Sequence, residues 1–197
     1  MRRTTWAACA CVALAACAVS TVDPLSIPLA YKANPKNAGA IGSLACPVIW
    51  QVQVTDARID KALGVRTHES KPLKAEVSAA GDPAVWVRDG VLGLLTQNGV
   101  TAQYGAPQLL VAIETLRTTE TIWHRASYAA QVTIGGRLQS RSGRVCWQGT
   151  GSGSGGDYGY AGSIENYQET LNSALDAATL QLVQSPGFKD ALCHCGS

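Results

Sequence analysis

Apolar and polar residues alternate along several stretches of the sequence, which is the period of a β-strand with one buried and one solvated face. The clearest stretch is 48–55, in which Val48, Trp50, Val52 and Val54 share the apolar face. We expect this strand to lie in the core of a sheet. The other predicted strands cover 25–31, 109–118, 126–138 and 143–150.

Two segments instead repeat apolar residues every three or four positions, as amphipathic helices do. The first helix is predicted over 83–98, because Asp82 can cap it, Pro83 suits its first turn and Gly99 follows its end. The second helix begins after Ser163, which is its expected N-cap. Its apolar stripe carries Ile164, Tyr167, Leu171, Ala174, Ala178 and Leu182.

The remaining segments fix the fold class. Residues 59–82 are mostly polar and predict a two-stranded arm or a long loop. Pro24 and Pro28 restrict the strand at 25–31 to a sheet edge, because proline cannot donate to a strand ladder. Consecutive strands joined by short turns favour an antiparallel meander. The predicted fold is α+β, with an antiparallel sheet of about four to six strands and two helices packed on one face.

A glycine-rich segment follows the last predicted strand. Residues 151–156 read Gly-Ser-Gly-Ser-Gly-Gly and match the letters of the dinucleotide-binding fingerprint. That fingerprint needs a helix that starts within the motif, whereas residues 157–163 separate Gly156 from Ile164. We therefore expect a flexible turn over 151–163, with no nucleotide and no other cofactor bound.

The first residues of the chain have the features of a secretory signal. Two arginines precede an apolar run over 6–16, which is too short to span a bilayer. The run ends in Leu14-Ala15-Ala16-Cys17, which resembles the lipobox of bacterial lipoproteins. The resemblance implies cleavage before Cys17 and acyl chains such as palmitate on that residue. The alternative is an ordinary signal peptide that is cut and leaves no anchor.

These features divide the chain into four parts. We expect a signal peptide at 1–16, a lipidated tether at 17–24, a single α+β lipoprotein domain at 25–188 and a cysteine-containing tail at 189–197. The leader holds two of the 16 basic residues and none of the 14 acidic ones, so the mature chain balances at 14 − 14 = 0. A neutral chain argues against nucleic acid as a partner, because phosphates require clusters of Lys and Arg.

Four cysteines remain in the mature chain besides Cys17. In an oxidising compartment, an even number of thiols predicts disulfides among Cys46, Cys146, Cys193 and Cys195. Sequence allows three pairings, and we favour Cys46 with Cys146, which would tie the first core strand to a late one. The alternative is a metal held by 193–195, although its one-residue spacing differs from that of common zinc sites. We expect no metal.

The polar residues contain no catalytic motif, so we expect no enzyme and assign no catalytic residue. The three histidines, at 68, 124 and 194, lie in different predicted elements without a metal-ligating neighbour at helix spacing. Asp56, Arg58 and Arg66 form a candidate charge cluster, which we interpret as a structural ion pair. Most Trp and Tyr residues fall on predicted core faces, and we expect them to pack there.

Several short motifs resemble the YajG-type family of bacterial lipoproteins. The longest covers 159–167 and continues over 170–175, and it includes Gly159-Tyr160 and Asn172 to Leu175. The resemblance covers most of residues 25–183. It implies an envelope lipoprotein without known catalytic residues, distantly similar in fold to auxiliary lipoproteins of ABC-type envelope transporters. The other matching pieces are Leu29-x-Tyr31, Val54-x-Asp56-x-Arg58, Gly64-x-Arg66 and Trp147-x-Gly149.

The sequence thus predicts a lipid-anchored module of the cell envelope that binds another envelope protein and has no catalytic activity. Ala18 favours the outer membrane over the inner by resemblance to lipoprotein sorting rules. We expect the domain to face the periplasm, with its acyl chains as the membrane contact. The alternative is a carrier of lipid or lipopolysaccharide, which would require an apolar groove lined by Trp50, Val91 and Leu171.

Overall fold

The computed structural model describes residues 22–42 and 44–195, and in these ranges the chain is α+β with three α-helices. The expected signal peptide and the lipidation site Cys17 lie outside the described residues. The helices are α1 (Pro83–Gln97), α2 (Ile164–Gln184) and α3 (Phe188–His194), with a short 3-10 helix at Pro35–Asn37. The strands are β1 (Leu25–Pro28), β2 (Val48–Ile49), β3 (Gln51–Asp56), β4 (Gly64–His68), β5 (Lys71–Ala80), β6 (Thr101–Ala102), β7 (Gln108–Ile122), β8 (Ala126–Gln139) and β9 (Val145–Gly159).

Seven of these strands form one mixed, mostly antiparallel sheet. Its order is β1-β5-β4-β7-β8-β9, and β3 pairs with β7 beside the start of that strand. The β4–β5, β7–β8 and β8–β9 pairs are antiparallel, whereas β1–β5, β4–β7 and β3–β7 are parallel. The sheet has more strands than the four to six predicted, because the polar segment 59–82 supplies β4 and β5. As predicted, β1 lies at an edge.

The long strands β7 and β8 bury alternate residues, so one face of the sheet belongs to the core. A bulge in β7 between Ile113 and Thr115 shifts this alternation by one residue. As a result Glu114 is exposed, whereas Leu116 and the polar residue Glu120 are buried. The shift explains how a strand that becomes polar in sequence still contributes inward side chains along its length.

The predicted strand over 48–55 is interrupted. Trp50 separates β2, which pairs with β6, from β3, which pairs with β7. The Trp50 amide donates to the carbonyl of Pro107 at 2.8 Å, and its side chain is 37% exposed. The expectation that Trp50 lies on the core face beside Val52 is therefore wrong, because the bend rotates it away from the sheet.

The glycine-rich segment is a strand, so the prediction of a flexible turn there is wrong. β9 continues to Gly159, and the glycines at 151, 153 and 155 face α2. A Cβ atom at these positions would collide with the backbone oxygens of Ala178, Ala174 and Thr170 respectively. Two strand residues advance about 6.7 Å and four helix residues about 6 Å, so the two repeats stay in step. Glycine is required because the helix backbone touches the strand.

Both predicted helices form with the predicted caps. The Asp82 carboxylate accepts from the amide of Ala84 at 2.8 Å, and Ser163 Oγ accepts from the amide of Asn166 at 3.2 Å. Helix α2 packs on β8 and β9, and α1 contacts α2 and β3. Within the described ranges, the helices are too short or too polar to cross a bilayer.

Candidate docking surfaces at the two ends of the sheet

The strand registers define two ends of the sheet, about 46 Å apart along the 14 steps of β7. At the first end β7 turns into β8, and β4 turns into β5. Strand β1 runs parallel to β5, so the chain preceding Leu25 also approaches from this side, which we call the tether end. The opposite end carries the start of β7 and the turn from β8 to β9, and we call it the distal end.

A buried carboxylate organises the tether end. Glu120, at the end of β7, is fully buried and accepts four hydrogen bonds. Its Oε2 accepts from Arg66 Nε at 2.5 Å and from the Tyr167 hydroxyl at 2.9 Å. Its Oε1 accepts from the amide of Gly162 at 2.6 Å and from the Tyr128 hydroxyl at 3.1 Å. The carboxylate is therefore fully satisfied and joins β4, β7, β8 and α2.

The same group of residues holds two surface segments in place. Arg66 Nη1 donates to the carbonyl of Asp23 at 2.8 Å, which fixes the chain just before β1. The Tyr128 hydroxyl contacts the carbonyl of Tyr160 and accepts from the amide of Ser163 at 3.1 Å, which fixes the loop between β9 and α2. Burial raises the pKa of Tyr128, so its hydroxyl keeps its proton over the physiological range.

The surface of the tether end exposes three aromatic side chains. Trp123 in the β7–β8 turn is 61% exposed, and Tyr158 and Tyr160 near the end of β9 are 77% and 90% exposed. Trp123 and Tyr160 line a shallow cavity of about 360 Å³ together with Arg125. This exposed aromatic area contrasts with the satisfied polar cluster directly beneath it.

A second aromatic group lies at the distal end. The rings of Trp50 and Tyr104 meet edge to face with centroids 4.9 Å apart, and Tyr104 is 64% exposed. The guanidinium of Arg141 lies 4.7 Å from the centroid of the Tyr104 ring, which is a cation–π distance. These three residues come from the β2–β3 bend, the loop before β7 and the β8–β9 turn. We call them the distal patch.

Two disulfides fasten the distal end. Cys46 bonds Cys193, and Cys146 bonds Cys195, so all four candidate cysteines are paired. The predicted pairing of Cys46 with Cys146 is wrong, because residues 189–194 of the expected tail belong to α3, which begins at Phe188 and packs on the sheet. Phe188 is buried and packs edge to face on Trp147, which brings both C-terminal cysteines to the sheet. Cys193 is thus bridged to the segment before β2, and Cys195 is bridged to β9.

The open face of the sheet forms a concavity with a volume of about 530 Å³. Its wall combines polar side chains, which carry charges of both signs, with the apolar side chains Leu110 and Ala112 and several glycines. Its lining includes Gln53, Thr55, Glu114, Arg137 and Gln148.

The predicted charge cluster is divided in two. Arg58 and Asp56 pair through two hydrogen bonds, at 2.8 and 2.9 Å. Hydrogen bonds from Arg58 lower the pKa of Asp56 to about 2. Arg66 is separate from this pair and bonds Glu120 instead, because the β4–β7 register places the two residues opposite each other. The prediction that all three form one cluster is therefore wrong, although Asp56 and Arg58 do form an ion pair.

The side chains named for a carrier groove do not form one. Val91 and Leu171 are fully buried in the hydrophobic core, while Trp50 lies in the distal patch. Of the aromatic residues expected in the core, Trp86, Tyr128 and Tyr167 are buried, whereas Trp123 is exposed. Among the described residues, no three His, Cys, Asp or Glu side chains converge as metal ligands would.

Sequence reasoning missed Glu120 and the exposed tyrosines at both ends. Tyr104 precedes Gly105, and Tyr158 and Tyr160 flank Gly159, so each tyrosine stands beside a glycine. Aromatic residues next to glycine at the ends of strands are a signal for exposed rings that the alternation pattern alone does not contain.

No protein-family model and no curated protein matches this sequence. Among solved structures, the chain is similar to a Xanthomonas campestris protein of the DUF330 family, with 11% identity, a TM-score of 0.47 and coverage of 86% of this chain and 95% of that one. It is also similar to a protein from Caulobacter crescentus whose description proposes a lipoprotein, with 14% identity, a TM-score of 0.45 and coverage of 80% and 98%.

Proposed function

We propose that this chain is an outer-membrane lipoprotein, anchored at Cys17, whose periplasm-facing domain acts as a non-catalytic accessory module. It docks another envelope protein through the distal patch. The observation that carries the proposal is the exposed group of Trp50, Tyr104 and Arg141 on a rigid, disulfide-fastened base. Trp, Tyr and Arg are the residue types that contribute most to protein–protein affinity.

The charge of the distal end suggests the chemistry of the partner. Residues 137–144 read Arg-Leu-Gln-Ser-Arg-Ser-Gly-Arg and contain three arginines but no acidic residue. In a mature chain with no net charge, this turn concentrates positive charge beside two exposed rings. We infer a protein partner that presents an apolar side chain with carboxylates around it, because such a surface complements both features.

Photocrosslinking in intact cells tests the partner. A photoreactive phenylalanine analogue replaces Tyr104, and the matched control carries it at Val85, which is 43% exposed on α1 and away from the patch. We expect one protein adduct from position 104 that is absent from position 85. The adduct should disappear when Arg141→Glu is added, because that change reverses the local charge.

A carrier function would give a different result. If position 104 and positions on the open face of the sheet, such as Gln148, captured lipid and no protein, the docking proposal would fail. Val91 and Leu171 are buried in the core and line no groove with Trp50, which supports the docking proposal over the carrier.

The anchor has its own test. Cells are labelled with a clickable fatty acid, and the wild type is compared with Cys17→Ser. We expect label on the wild type only, and density-gradient fractionation should place that protein with the outer membrane. Equal labelling of both proteins would refute lipidation at Cys17.

A further inference from the structure

The position where the described chain begins limits how far the domain can lie from its anchor. Asp23 is held by Arg66 at the tether end. Six residues connect it to Cys17, and they span at most about 20 Å when extended and about 12–15 Å as a coil. The β-ladder places Trp123 three residues beyond Glu120 and Arg66, or about 10 Å further along the same direction.

The tether is therefore too short to keep the tether end away from the bilayer. Along the direction of the strands, Trp123 lies about 10 Å closer to the membrane than Asp23 does. A fully extended tether of about 20 Å therefore leaves at most about 10 Å between the Trp123 turn and the membrane that holds the acyl chains of Cys17. A coiled tether brings the two into contact. The exposed rings at this end therefore lie within reach of the headgroup region.

The chemistry of the tether end suits that region. Trp and Tyr are enriched where membrane meets water, because their rings are apolar and their N–H and O–H groups are polar. Trp123, Tyr158 and Tyr160 are all more than half exposed, and Arg125 in the same turn supplies a donor for a phosphate. The bonds from Tyr128 and Gly162 to Glu120 hold the backbone of the Tyr160 loop in place, which lowers the entropy cost of ordering the loop on contact.

We propose that the tether end, with Trp123, Tyr158 and Tyr160, inserts into the headgroup region of the membrane that carries the lipid anchor. The proposal rests on the anchor proposed above and adds an orientation to it. With the tether end seated, the distal patch projects as far as about 46 Å from the membrane surface along the sheet. The domain then holds the distal patch at a fixed distance from the membrane surface.

Photocrosslinking to phospholipid tests the orientation. The mature lipoprotein is reconstituted into vesicles of phosphatidylethanolamine and phosphatidylglycerol, with the photoreactive analogue at Trp123, at Tyr160 or, as the matched control, at Tyr104. The lipid adduct is measured by mass spectrometry. We expect at least about tenfold more phospholipid adduct from positions 123 and 160 than from position 104. Equal yields at the three positions, or none at 123 and 160, would overturn the proposal.

A second sample separates this orientation from the anchor itself. A histidine tag replaces Cys17, and the protein is attached to the same vesicles through a nickel-chelating lipid. The tag supplies the tether whether or not cells acylate Cys17, so the adduct ratio still reports on the seating. If fatty-acid labelling fails but the ratio stays high, the anchor proposal is wrong and the seating stands. If labelling succeeds but the adduct ratio falls to one, the anchor proposal stands and the seating of the tether end is wrong.

Discussion

The two ends of the sheet expose similar aromatic groups but are held together by different forces. At the tether end, a single buried carboxylate accepts four hydrogen bonds from Arg66, Tyr128, Tyr167 and Gly162. At the distal end, two disulfides join α3 to the segments before β2 and within β9. One end therefore depends on a non-covalent network around a buried carboxylate, and the other depends on covalent crosslinks.

This difference follows from where the chain ends lie. The tether end contains the point where the chain enters the sheet. The hydrogen bonds of Glu120, in β7, join β4, β8 and α2 at this point. The distal end must hold a short helix, α3, which has only seven residues and buries Phe188, Ala191 and Leu192. So short a helix is unstable in isolation. The disulfides compensate for the small area that it buries.

Removal of the buried carboxylate should have the largest effect. Glu120→Ala leaves the buried Arg66 guanidinium without its carboxylate and the Tyr167 hydroxyl without its acceptor, and we expect the free energy of unfolding to fall by about 3–5 kcal/mol. Urea denaturation measures the loss. The control is Glu114→Ala on the same strand, which removes an exposed carboxylate and should cost under about 0.5 kcal/mol.

The same pair of variants tests whether the two ends are independent. Hydrogen exchange in Glu120→Ala should speed up in the turn at 122–126 and remain slow near the distal disulfides. An equal increase at both ends would contradict the comparison, because it would mean that the carboxylate stabilises the whole sheet cooperatively.

Loss of a disulfide should have the next largest effect and act at the opposite end. The double variants Cys146→Ser/Cys195→Ser and Cys46→Ser/Cys193→Ser should each lose about 2–4 kcal/mol. They close loops of 49 and 147 residues, so the chain-entropy argument makes the second loss larger by about 1 kcal/mol. Thermal unfolding of both variants measures the difference. If hydrogen exchange in these variants became faster only at the tether end, the conclusion that the disulfides stabilise the distal end would be wrong.

A third variant acts between the ends. Gly153→Ala places a methyl group against the backbone of α2, and we expect a loss of about 1–3 kcal/mol from overpacking. Gly156→Ala is the matched control, because its Cβ would have only the Tyr128 carbonyl nearby, at 3.6 Å. Denaturant titration should show a clear loss for the first and little change for the second. Similar losses would indicate an effect of glycine on the strand rather than contact with the helix.

The helices could be predicted from sequence because their signals are local. Asp82, Pro83 and Ser163 mark the starts of α1 and α2 through interactions within one turn. The strand β9 could not be predicted in the same way, since its glycines reflect a helix that packs on them from later in the chain. Their spacing of two residues is nevertheless present in the sequence, and it is the period of one face of a β-strand.

The candidate site was harder to predict, because its contacts are long-range. Asp56 and Arg58 are two residues apart and pair as expected, whereas Arg66 and Glu120 are 54 residues apart and meet only through the β4–β7 register. The cysteine pairing failed for the same reason, as it depends on the position of α3. The exposure of Trp50 and Trp123 depends on a bend and a turn that interrupt the alternation.

The smallest expected effect concerns the ion pair that lies between the two ends. Asp56 has an ordinary pKa of 3.8, and hydrogen bonds from Arg58 lower it to about 2 in the folded chain. A depressed carboxyl pKa stabilises the fold above the unfolded value, so this contribution is present above pH 4 and is lost as the pH falls from about 4 to about 2. Because the Asp56 side chain keeps partial contact with solvent, which screens its charge, we expect only about 1 kcal/mol. Urea denaturation of the wild type and Asp56→Asn across this range measures it: the difference between the two proteins should shrink towards pH 2. A difference that stays constant with pH would mean that Asp56 acts through packing rather than through its charge.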